Sequence, residues 1–374
     1  MTTLADVAQA AAVSTATASL VLSGKDNGRV SATTAKRVRG AARELGYVRN
    51  ALAASMRSQR TRTLGVVAND VLSTPYAVSM VEGILTTARS HGWSVIFADT
   101  GGDATERRRA VEELRSRQVD AIIYAAMYHQ EVVVDEGLED VFVLNGFADR
   151  AGVPGAVPDE ERAAFEATTH LIGLGHRRIA HLTHGSDAVA VALRIQGYRR
   201  ALLSHGLPWD ESLLLSGEND PAGADETAGR MLDLSSRPTA VFCYNDAMAA
   251  GVYRQAARRG LRIPQDLSVV GFDDLVLIST NLDPQLTTMR LPHYEMAEWM
   301  TRGVVAGGAQ DLPPGVTRMR CELVERGSTA PPGPPSSPET STERLGRTHT
   351  LPAHRSRGNS IPDSTSQMTQ RSVP

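Results

Sequence analysis

Three pairs of polar residues follow short apolar runs of the chain: Asn69-Asp70, Asn245-Asp246 and Asp273-Asp274. Paired carboxylates can act as general acid and base, as in a glycoside hydrolase. These carboxylates, however, follow separate strands and have no obvious nucleophile or base as a partner. The simpler interpretation is that they accept hydrogen bonds from the hydroxyl groups of a small polar ligand. For Asp246, the N-cap of the next helix is an equal alternative.

Three aromatic residues could stack on the face of a sugar: Tyr76, Phe147 and Tyr244. Each could equally belong to a hydrophobic core. We prefer Tyr76 and Phe147 as ligand contacts, because both follow the ends of predicted strands. No catalytic residue, cofactor or metal site is predicted.

The elements that would position these residues alternate between short β-rich runs and amphipathic helices from Thr63 onward. The predicted strands are 64–68, 94–98, 120–124, 141–145, 178–182, 213–216, 240–244 and 268–271, and the predicted helices are 76–90, 105–117, 161–172, 192–205, 224–234 and 248–259. This order requires parallel sheets covered on both faces. Two doubly wound α/β lobes in tandem predict a cleft with the ligand at the carboxyl ends of the strands.

The first 62 residues differ from this body in charge and pattern. They hold ten Lys or Arg and three acids, a net charge of +7, so the remainder carries −10. Apolar spacing predicts three short helices, the second over 13–22 with Ser14 as N-cap and the third capped by Ser31 and ended by Gly46. A basic head of this kind is typical of a helix-turn-helix module whose second helix enters the major groove of DNA.

Composition excludes several other classes of protein. Two cysteines, Cys243 and Cys321, are too few for a disulfide framework or a structural zinc site. No signal peptide and no run of about 18 apolar residues is present, so we expect a cytoplasmic, nucleoid-associated protein with no membrane partner. A sugar-binding transport component would lack the basic head, and a nucleotide-dependent enzyme would need a glycine-rich loop after the first strand, where 67–71 contains no Gly.

Several strings of residues are more specific than these patterns. In the head they are Leu4-Ala5-Asp6-Val7-Ala8, Val13-Ser14-Thr15-Ala16-Thr17, Val21-Leu22-Ser23-Gly24 and Glu44-Leu45-Gly46-Tyr47; in the body they are 171–180, Arg194-Ile195-Gln196-Gly197-Tyr198, Asn245-Asp246-Ala247-Met248-Ala249, 269–274 and Leu286-Thr287-Thr288. In these strings the chain resembles the lactose-repressor/galactose-repressor (LacI/GalR) family of bacterial transcription regulators over nearly all of residues 1–327.

The resemblance implies contacts with DNA and with an effector. The predicted DNA contacts are Thr3, Ser14, Thr15, Ala16, Thr17, Ser19, Leu20, Arg29, Ser31, Asn50, Ala53 and Met56. Met56 matches a hinge-helix residue that wedges between bases in the minor groove, where Leu is usual. The resemblance predicts Arg194, Asn245 and Asp273 as effector contacts, and the positions after predicted strands add Asp70, Tyr76 and Phe147.

The chain also departs from the family at several positions. Ala12 stands where Gly is usual, and a left-handed backbone there would cost about 1 kcal/mol. Leu20 replaces an Arg that often contacts guanine, which leaves Thr15, Ala16 and Thr17 as the main base contacts. Arg49 replaces a Pro before the hinge, and Leu291 stands where a polar cleft residue is usual.

The resemblance leads to a division of the chain: a DNA-binding head over 1–47, a hinge helix and linker over 48–61, a two-lobed body over 62–327 and a disordered Pro/Ser/Thr-rich tail over 328–374. The N-lobe comprises 62–158 and 290–320, and the C-lobe comprises 159–289 and 321–327. We expect a helix-turn-helix head on a periplasmic-binding-protein-like body. Its predicted function is that of a transcriptional repressor whose affinity for a pseudo-palindromic operator depends on a small, carbohydrate-like effector. The predicted oligomer is a homodimer, with a tetramer as the alternative.

Overall fold

A computed structural model of the chain describes residues 2–24, 26, 28–47, 60–69, 71, 78–138, 140–218 and 220–333. The chain divides into a compact unit, Met1–Pro332, and the remainder, Gly333–Pro374, of which Gly333 alone is described. Five predicted contacts lie outside the described residues: Asn50, Ala53, Met56, Asp70 and Tyr76. The predicted disorder of 334–374 lies outside them as well.

The described part of the first unit contains α-helices and β-strands in the following order. The helices are α1 (Leu4–Ala10), α2 (Thr15–Leu22), α3 (Ala32–Glu44), α4 (Val78–Ser90), α5 (Ala104–Ser116), α6 (Glu160–Gly173), α7 (Val189–Ser204), α8 (Pro221–Leu232), α9 (Asp246–Arg258), α10 (Val276–Ser279) and α11 (His293–Ala306). The strands are β1 (Thr63–Asn69), β2 (Ser94–Asp99), β3 (Ala121–Val132), β4 (Val141–Ala148), β5 (Gly155–Pro158), β6 (Ile179–His184), β7 (Leu214–Gly217), β8 (Ala240–Cys243), β9 (Ser268–Asp273), β10 (Thr287–Arg290), β11 (Val316–Met319) and β12 (Glu322–Val324).

The head is a three-helix module around a core of small side chains. Its buried residues are Val7, Ala8, Ala11, Ala18, Val21, Ala35, Val38, Ala41 and Ala42. The predicted caps are confirmed, because Ser14 begins α2, Ser31 begins α3, and Gly46 follows α3 with φ +60°. Small core residues let the three short helices approach closely, which keeps the module compact enough to place one helix in a groove.

The body consists of two six-stranded sheets. The strand order is β11-β5-β4-β3-β1-β2 in the first sheet and β12-β10-β9-β8-β6-β7 in the second. Every strand pair is parallel except β10 with β12. The predicted fold class is confirmed: a helical head and two doubly wound α/β lobes, which we call the N-lobe (first sheet) and the C-lobe (second sheet).

The chain passes between the two sheets three times. It leaves the N-lobe after β5, returns after β10 to form α11 and β11, and enters the C-lobe again at β12. Helix α11 belongs to the N-lobe, because its Met296, Ala297 and Met300 share a buried core with Met80 and Ile84 of α4. Three connections of this kind can act as an interlobe hinge, distinct from the predicted hinge helix over 48–61.

The sequence missed several elements of this fold. The helix α11 and the short strands β5, β10 and β11 were not predicted, and β3 extends eight residues past Tyr124. The register of β3 against β4 shifts between Ala125 and Gln130. The irregular stretch therefore lies at the carboxyl end of β3, where a bulge can redirect side chains.

The start of the predicted tail is wrong, because residues 328–332 pack on the C-lobe. Ser328 is fully buried; its Oγ donates to the carbonyl of Val269 (2.6 Å) and accepts from the backbone N–H of Thr287 (2.7 Å). The ring of His176 lies 2.9 Å from the carbonyl of Ala330. The compact unit ends at Pro332 instead of 327. Composition alone could not reveal these hydrogen bonds.

Among the described residues, no single helix is long and apolar enough to cross a membrane. Helices α1 and α2 taken together are long and apolar enough for a membrane span, but the chain bends by 103° between them.

Ala12 occupies a left-handed backbone position, the conformation to which the sequence analysis attached a cost for Ala. Its φ is +48°, its N–H donates to the carbonyl of Gln9, and the N–H of Val13 donates to the carbonyl of Ala8, a pattern that usually ends a helix at Gly. We expect Ala12→Gly to raise the free energy of unfolding of the head by about 0.5–1 kcal/mol, since Gly has no Cβ to strain. Thermal unfolding of residues 1–47 within the full chain, followed by hydrogen exchange, measures this.

Ala10→Gly is the matched control, because Ala10 is exposed within α1 and has no left-handed backbone to relieve. It should destabilise the head by about 0.5–1 kcal/mol. Equal effects of the two substitutions would contradict the assignment of strain to Ala12.

Candidate functional site

The helix α2 presents small side chains at its first turn. The Oγ of Ser14 accepts from the backbone N–H of Thr17 (3.1 Å) and lies 2.9 Å from Thr17 Oγ1. Thr15 and Ala16 are exposed, whereas Thr17, Ser19 and Leu20 are partly buried. The exposed part of α2 is therefore its amino-terminal turn, which is the part of a recognition helix that meets base edges.

Three of the predicted DNA contacts are helix N-caps. Thr3, Ser14 and Ser31 begin α1, α2 and α3, and all three are exposed, as is Arg29. Helix N-termini carry partial positive charge and backbone N–H groups that bind phosphate. Their caps can contact a DNA backbone without any Lys or Arg.

Two arginines on the outer faces of the head have partners within the protein. Arg37 donates from Nε to the carbonyl of Ala11 (2.7 Å), and Arg39 pairs with Asp26 at 2.8 Å. Arg37 therefore holds the end of α1 against α3.

A small polar cavity lies between the two lobes. It has a volume of about 90 Å³. Strands, helices and loops of both lobes line it: Met127, Tyr128, His129, Asn145, Glu160, Ala190, Arg194, Tyr244, Asn245, Asp273, Leu291 and His293. Three predicted effector contacts, Arg194, Asn245 and Asp273, are brought together here.

Arg194 is the centre of this cavity and is almost fully buried. Its Nε donates to Glu160 (2.7 Å), and it also donates to the backbone carbonyl of Tyr244. The guanidinium lies between two rings, 3.6 Å from the centroid of Phe272 and 4.3 Å from that of Tyr244. Burial is the largest single effect and disfavours the charged guanidinium, but Glu160, Tyr244 and Asp273 together outweigh it, and the pKa of Arg194 lies above its usual value.

Asp273 faces the same guanidinium at a longer distance. Its carboxylate lies 3.9 Å from Arg194, and its backbone has φ +105°, a conformation that L-residues rarely adopt. Burial raises the pKa of Asp273 well above its usual value, because Arg194 offsets only part of the cost and the carboxyl groups of Asp246 and Glu160 add repulsion. Strained backbone that is held in place by its surroundings is common where a side chain must be aimed at a ligand.

The second Asp of that pair is structural. Asp274 also has a positive φ, +54°, and its Oδ1 accepts from Ser279 (2.9 Å) and from Arg326 (2.7 Å). It therefore fixes the turn that presents Asp273.

The roles of Asn245 and Asp246 differ from expectation. Asn245, and not Asp246, is the N-cap of α9, because its Oδ1 accepts from the N–H of Met248 at 2.8 Å. Asp246 is 1% exposed and accepts from the N–H of Leu275 (2.7 Å) and from Thr288 Oγ1 (2.6 Å). The N-cap alternative for Asp246 is wrong: its carboxylate ties the loop after β9 to β10.

The aromatic predictions are also revised by the geometry. Phe147 does not line the cavity, but its ring packs edge-on against His129 with centroids 6.0 Å apart. Tyr244, which the sequence left undecided, does line it.

Sequence reasoning missed Glu160 and His129 as cavity residues. Glu160 is the first residue of α6, directly after the first crossing between lobes, and His129 lies in the irregular part of β3. Neither has a sequence signal that distinguishes it from a surface residue. Leu291 also lines the cavity, at the position where the resemblance predicted a polar residue to be replaced.

A second cavity, of about 210 Å³, lies at the carboxyl ends of β1 and β3 in the N-lobe. Asn69, Thr100, Tyr124 and Gln130 are among its lining residues. Because β1 lies between β2 and β3, this is the topological switch point of the first sheet, where ligands of doubly wound folds bind.

Comparison with known proteins agrees with this architecture. Residues 3–50 match the pattern of "Bacterial regulatory proteins, lacI family", and residues 61–305 match that of "Periplasmic binding proteins and sugar binding domain of LacI family". The HTH-type transcriptional repressor CytR of Escherichia coli (strain K12) is 33% identical over 331 residues, which cover 87% of this chain and 96% of CytR.

Two solved structures show the same similarity. The lac repressor dimer bound to operator and the anti-inducer ONPF has 25% identity and a TM-score of 0.70, with 88% of this chain and 99% of that chain covered. The complex of the transcriptional regulator CelR with cellobiose has 28% identity and a TM-score of 0.59, with 88% of this chain and 100% of that chain covered.

The ion pair of Arg194 with Glu160 generates the first prediction of this site. Arg194→Met should lower the free energy of unfolding by about 3–5 kcal/mol, because it leaves the Glu160 carboxylate buried and unpaired. The double variant Glu160→Gln with Arg194→Met removes both charges and should recover most of that loss. Urea unfolding of the four proteins of this double-mutant cycle measures the coupling. If the double variant is as unstable as Arg194→Met, the loss of stability does not come from the unpaired Glu160 carboxylate.

Asp246 generates a prediction about pH. Burial raises its pKa to about 7, although hydrogen bonds from Thr288 and Leu275 act in the opposite direction. The folded state therefore holds this proton more tightly than the unfolded state, whose Asp has a pKa near about 4. Stability from this group is present below pH 4 and is lost as pH rises to about 7. Wild type should lose more unfolding free energy between pH 4 and 7 than Asp246→Asn.

Asp266→Asn is the control for this pH series. A hydrogen bond from Arg262 lowers the pKa of Asp266 to about 2. Its substitution should change the slope of stability below pH 4 and leave the slope between pH 4 and 7 as in wild type. A wild-type slope in Asp246→Asn over that upper range would refute the assignment.

Proposed function

We propose that this chain, which belongs to the lacI family of bacterial regulatory proteins, represses transcription from a pseudo-palindromic operator and is controlled by a small polar effector bound between its two lobes. The chain is a sequence-specific DNA-binding transcriptional regulator with an effector-binding body. The named relatives are transcriptional regulators, and our proposal contains no catalytic step.

The single observation that carries the proposal is that one chain contains two different sites. An exposed, capped helix of small side chains lies on a compact head, and a buried cluster of one guanidinium and two carboxyl groups lies between two lobes. The first arrangement fits a DNA groove, and the second offers donors and acceptors for a polar ligand.

We assign operator reading to the amino-terminal turn of α2. Thr15 and Ala16 are its exposed side chains and suit thymine methyl groups and single hydrogen bonds. The caps Thr3, Ser14 and Ser31 are assigned to phosphates, which position the head without specifying sequence. Met56, outside the described residues, remains our candidate for the minor-groove wedge.

We assign effector binding to Arg194, Asn245 and Asp273, with Asp70 and Tyr76 as further candidates from outside the described residues. A carbohydrate is our candidate effector, and the similar regulator CelR was solved with cellobiose. The present cavity of about 90 Å³ is smaller than the roughly 300 Å³ typical of ligand sites. An effector must therefore displace side chains or move the lobes apart.

The contact between Arg194 and Glu160 suggests how effector binding reaches the head. Glu160 begins α6 directly after the first crossing between the lobes. An effector that accepts hydrogen bonds from Arg194 competes with Glu160 for the same donors, so it favours a different position of this crossing. Such a difference between two lobe arrangements is what links a ligand to DNA affinity.

We propose a homodimer as the functional unit, with a tetramer as the alternative. One head is too small to specify an operator, whereas two heads read two half-sites. Val276 and Leu277 of α10 are 61% and 73% exposed, and we propose that they lie in the contact between subunits.

The domain assignment is part of the same proposal. Residues 1–47 read DNA, 48–61 form the hinge, and the two-lobed body extends from 62 to Pro332. Because a bacterial regulator acts on chromosomal DNA, we place its action in the cytoplasm and propose association with the nucleoid.

A gel shift on DNA from upstream of the gene tests the proposed function. Wild type should give a salt-sensitive band that contains two chains per site, because phosphate contacts release counterions. Ala16→Glu should weaken this band at least about 100-fold, since the exposed position of Ala16 would bring a carboxylate to the DNA surface.

Ala104→Glu is the matched control, since Ala104 is equally exposed but lies at the start of α5 in the body. It adds the same charge and should leave the band unchanged. Absence of a salt-sensitive band with wild type, or equal losses in the two variants, would overturn the assignment of α2 as the reader.

A further inference from the structure

His129 is a buried cavity residue with an unsatisfied ring nitrogen. It is 7% exposed, it lines the cavity between the lobes, and its Nδ1 has no hydrogen-bond partner among the described residues. Native proteins satisfy nearly all buried polar atoms, so an unsatisfied one in a cavity indicates a missing partner. The cavity itself is where such a partner would lie.

The surroundings of His129 hold its ring in place. Phe147 packs edge-on against it, with an interplanar angle of 83°. The irregular stretch of β3 that carries His129 is fixed by Asn145, whose Nδ2 donates to the carbonyls of Ala126 (3.1 Å) and Met127 (3.0 Å). A buried ring whose position is fixed by packing and by backbone hydrogen bonds is suited to directional recognition.

The charges around the same cavity disfavour an anionic ligand. The cavity is lined by the carboxyl groups of Glu160 and Asp273, the guanidinium of Arg194 and the imidazole of His293. Arg194 donates from Nε to Glu160 and from a terminal nitrogen to a backbone carbonyl, so Glu160 compensates its charge. An effector that takes over one of these donors leaves the Glu160 carboxylate in the cavity. Arg318, which acts on His129 electrostatically, is exposed and does not line the cavity. A phosphate or carboxylate would meet two carboxyl groups without an uncompensated cation.

His129 does not supply that cation. Burial lowers its pKa, and the opposing effect of Glu160 is smaller. The neutral imidazole can donate or accept one hydrogen bond at Nδ1, depending on its tautomer.

We propose that His129 contacts the effector through Nδ1 and that, with Glu160 and Asp273, it restricts the cleft to uncharged ligands bearing hydroxyl or amide groups. This inference rests on the proposed function and specifies its ligand class. Phe147, predicted as a direct contact, then acts by positioning His129.

Matched pairs of compounds test the charge rule on the full-length wild-type protein. The pairs are D-glucose with glucose 6-phosphate, D-ribose with ribose 5-phosphate, and adenosine with adenosine 5′-monophosphate. Thermal shift identifies the pair that binds, and calorimetry gives both affinities. We expect the neutral member to bind at least about 10-fold more tightly, a difference of about 1.4 kcal/mol. A phosphorylated member that binds as tightly as its neutral partner, or more tightly, overturns the rule.

Substitution of His129 tests the contact with the neutral compound that binds. His129→Phe keeps the aromatic packing on Phe147 and removes the nitrogen, and it should weaken binding about 10-fold or more. His129→Asn restores a polar group near the position of Nδ1 and should recover most of the affinity. Equal affinities of His129→Phe and wild type would refute the contact.

His181 provides the control, because its Nε2 is also buried without a partner among the described residues but it does not line the cavity. His181→Phe should leave the affinity for the compound unchanged. The wild-type gel shift separates the two proposals: loss of the salt-sensitive band contradicts the proposed function, whereas an intact band with the wrong ligand preference contradicts only this inference.

Discussion

The buried guanidinium of Arg194 is the constraint on which the body depends. It requires a carboxylate from α6, a carbonyl from the end of β8 and two ring faces, all within hydrogen-bond or stacking distance. A buried ion pair adds little net stability, because desolvation offsets most of the attraction. What the ion pair does supply is geometry. The partners of Arg194 are all within reach when α6, α7, β8 and β9 adopt the arrangement seen at this edge of the C-lobe.

The same constraint explains why so many polar residues at the strand ends are structural. Asp246, Asp274 and Asn245 each accept hydrogen bonds that hold a loop or a helix start around the cavity. Asp274, through Ser279 and Arg326, fixes the turn next to the strained backbone of Asp273, whose φ is +105°. A residue type that suits a ligand also suits a turn. The polar pairs after β8 and β9 therefore lead to the cavity without separating the residues that line it from those that build it.

Local rules therefore predicted much of the fold and only part of the site. Caps such as Ser14 and Ser31 act within one helical turn, and the left-handed position of Ala12 follows from a hydrogen-bond pattern of six residues. Glu160 and His129 become cavity residues through contacts with Arg194 and Phe147, which are distant in sequence. Helix α11 packs on α4 across more than 200 residues, so its place in the N-lobe depends on the chain's return after β10.

An effector can change operator affinity only by as much as it prefers one lobe arrangement over the other. Allosteric coupling is typically about 1–3 kcal/mol, and one hydrogen bond to a charged group contributes about 1.5–3 kcal/mol. If one charge-assisted hydrogen bond of Arg194 passes from Glu160 to a ligand, the free energy involved is therefore large enough to account for a typical allosteric coupling. Glu160 directly follows a crossing between the lobes. In our proposal the exchange therefore acts at the interlobe hinge itself, and no longer pathway through the core is required.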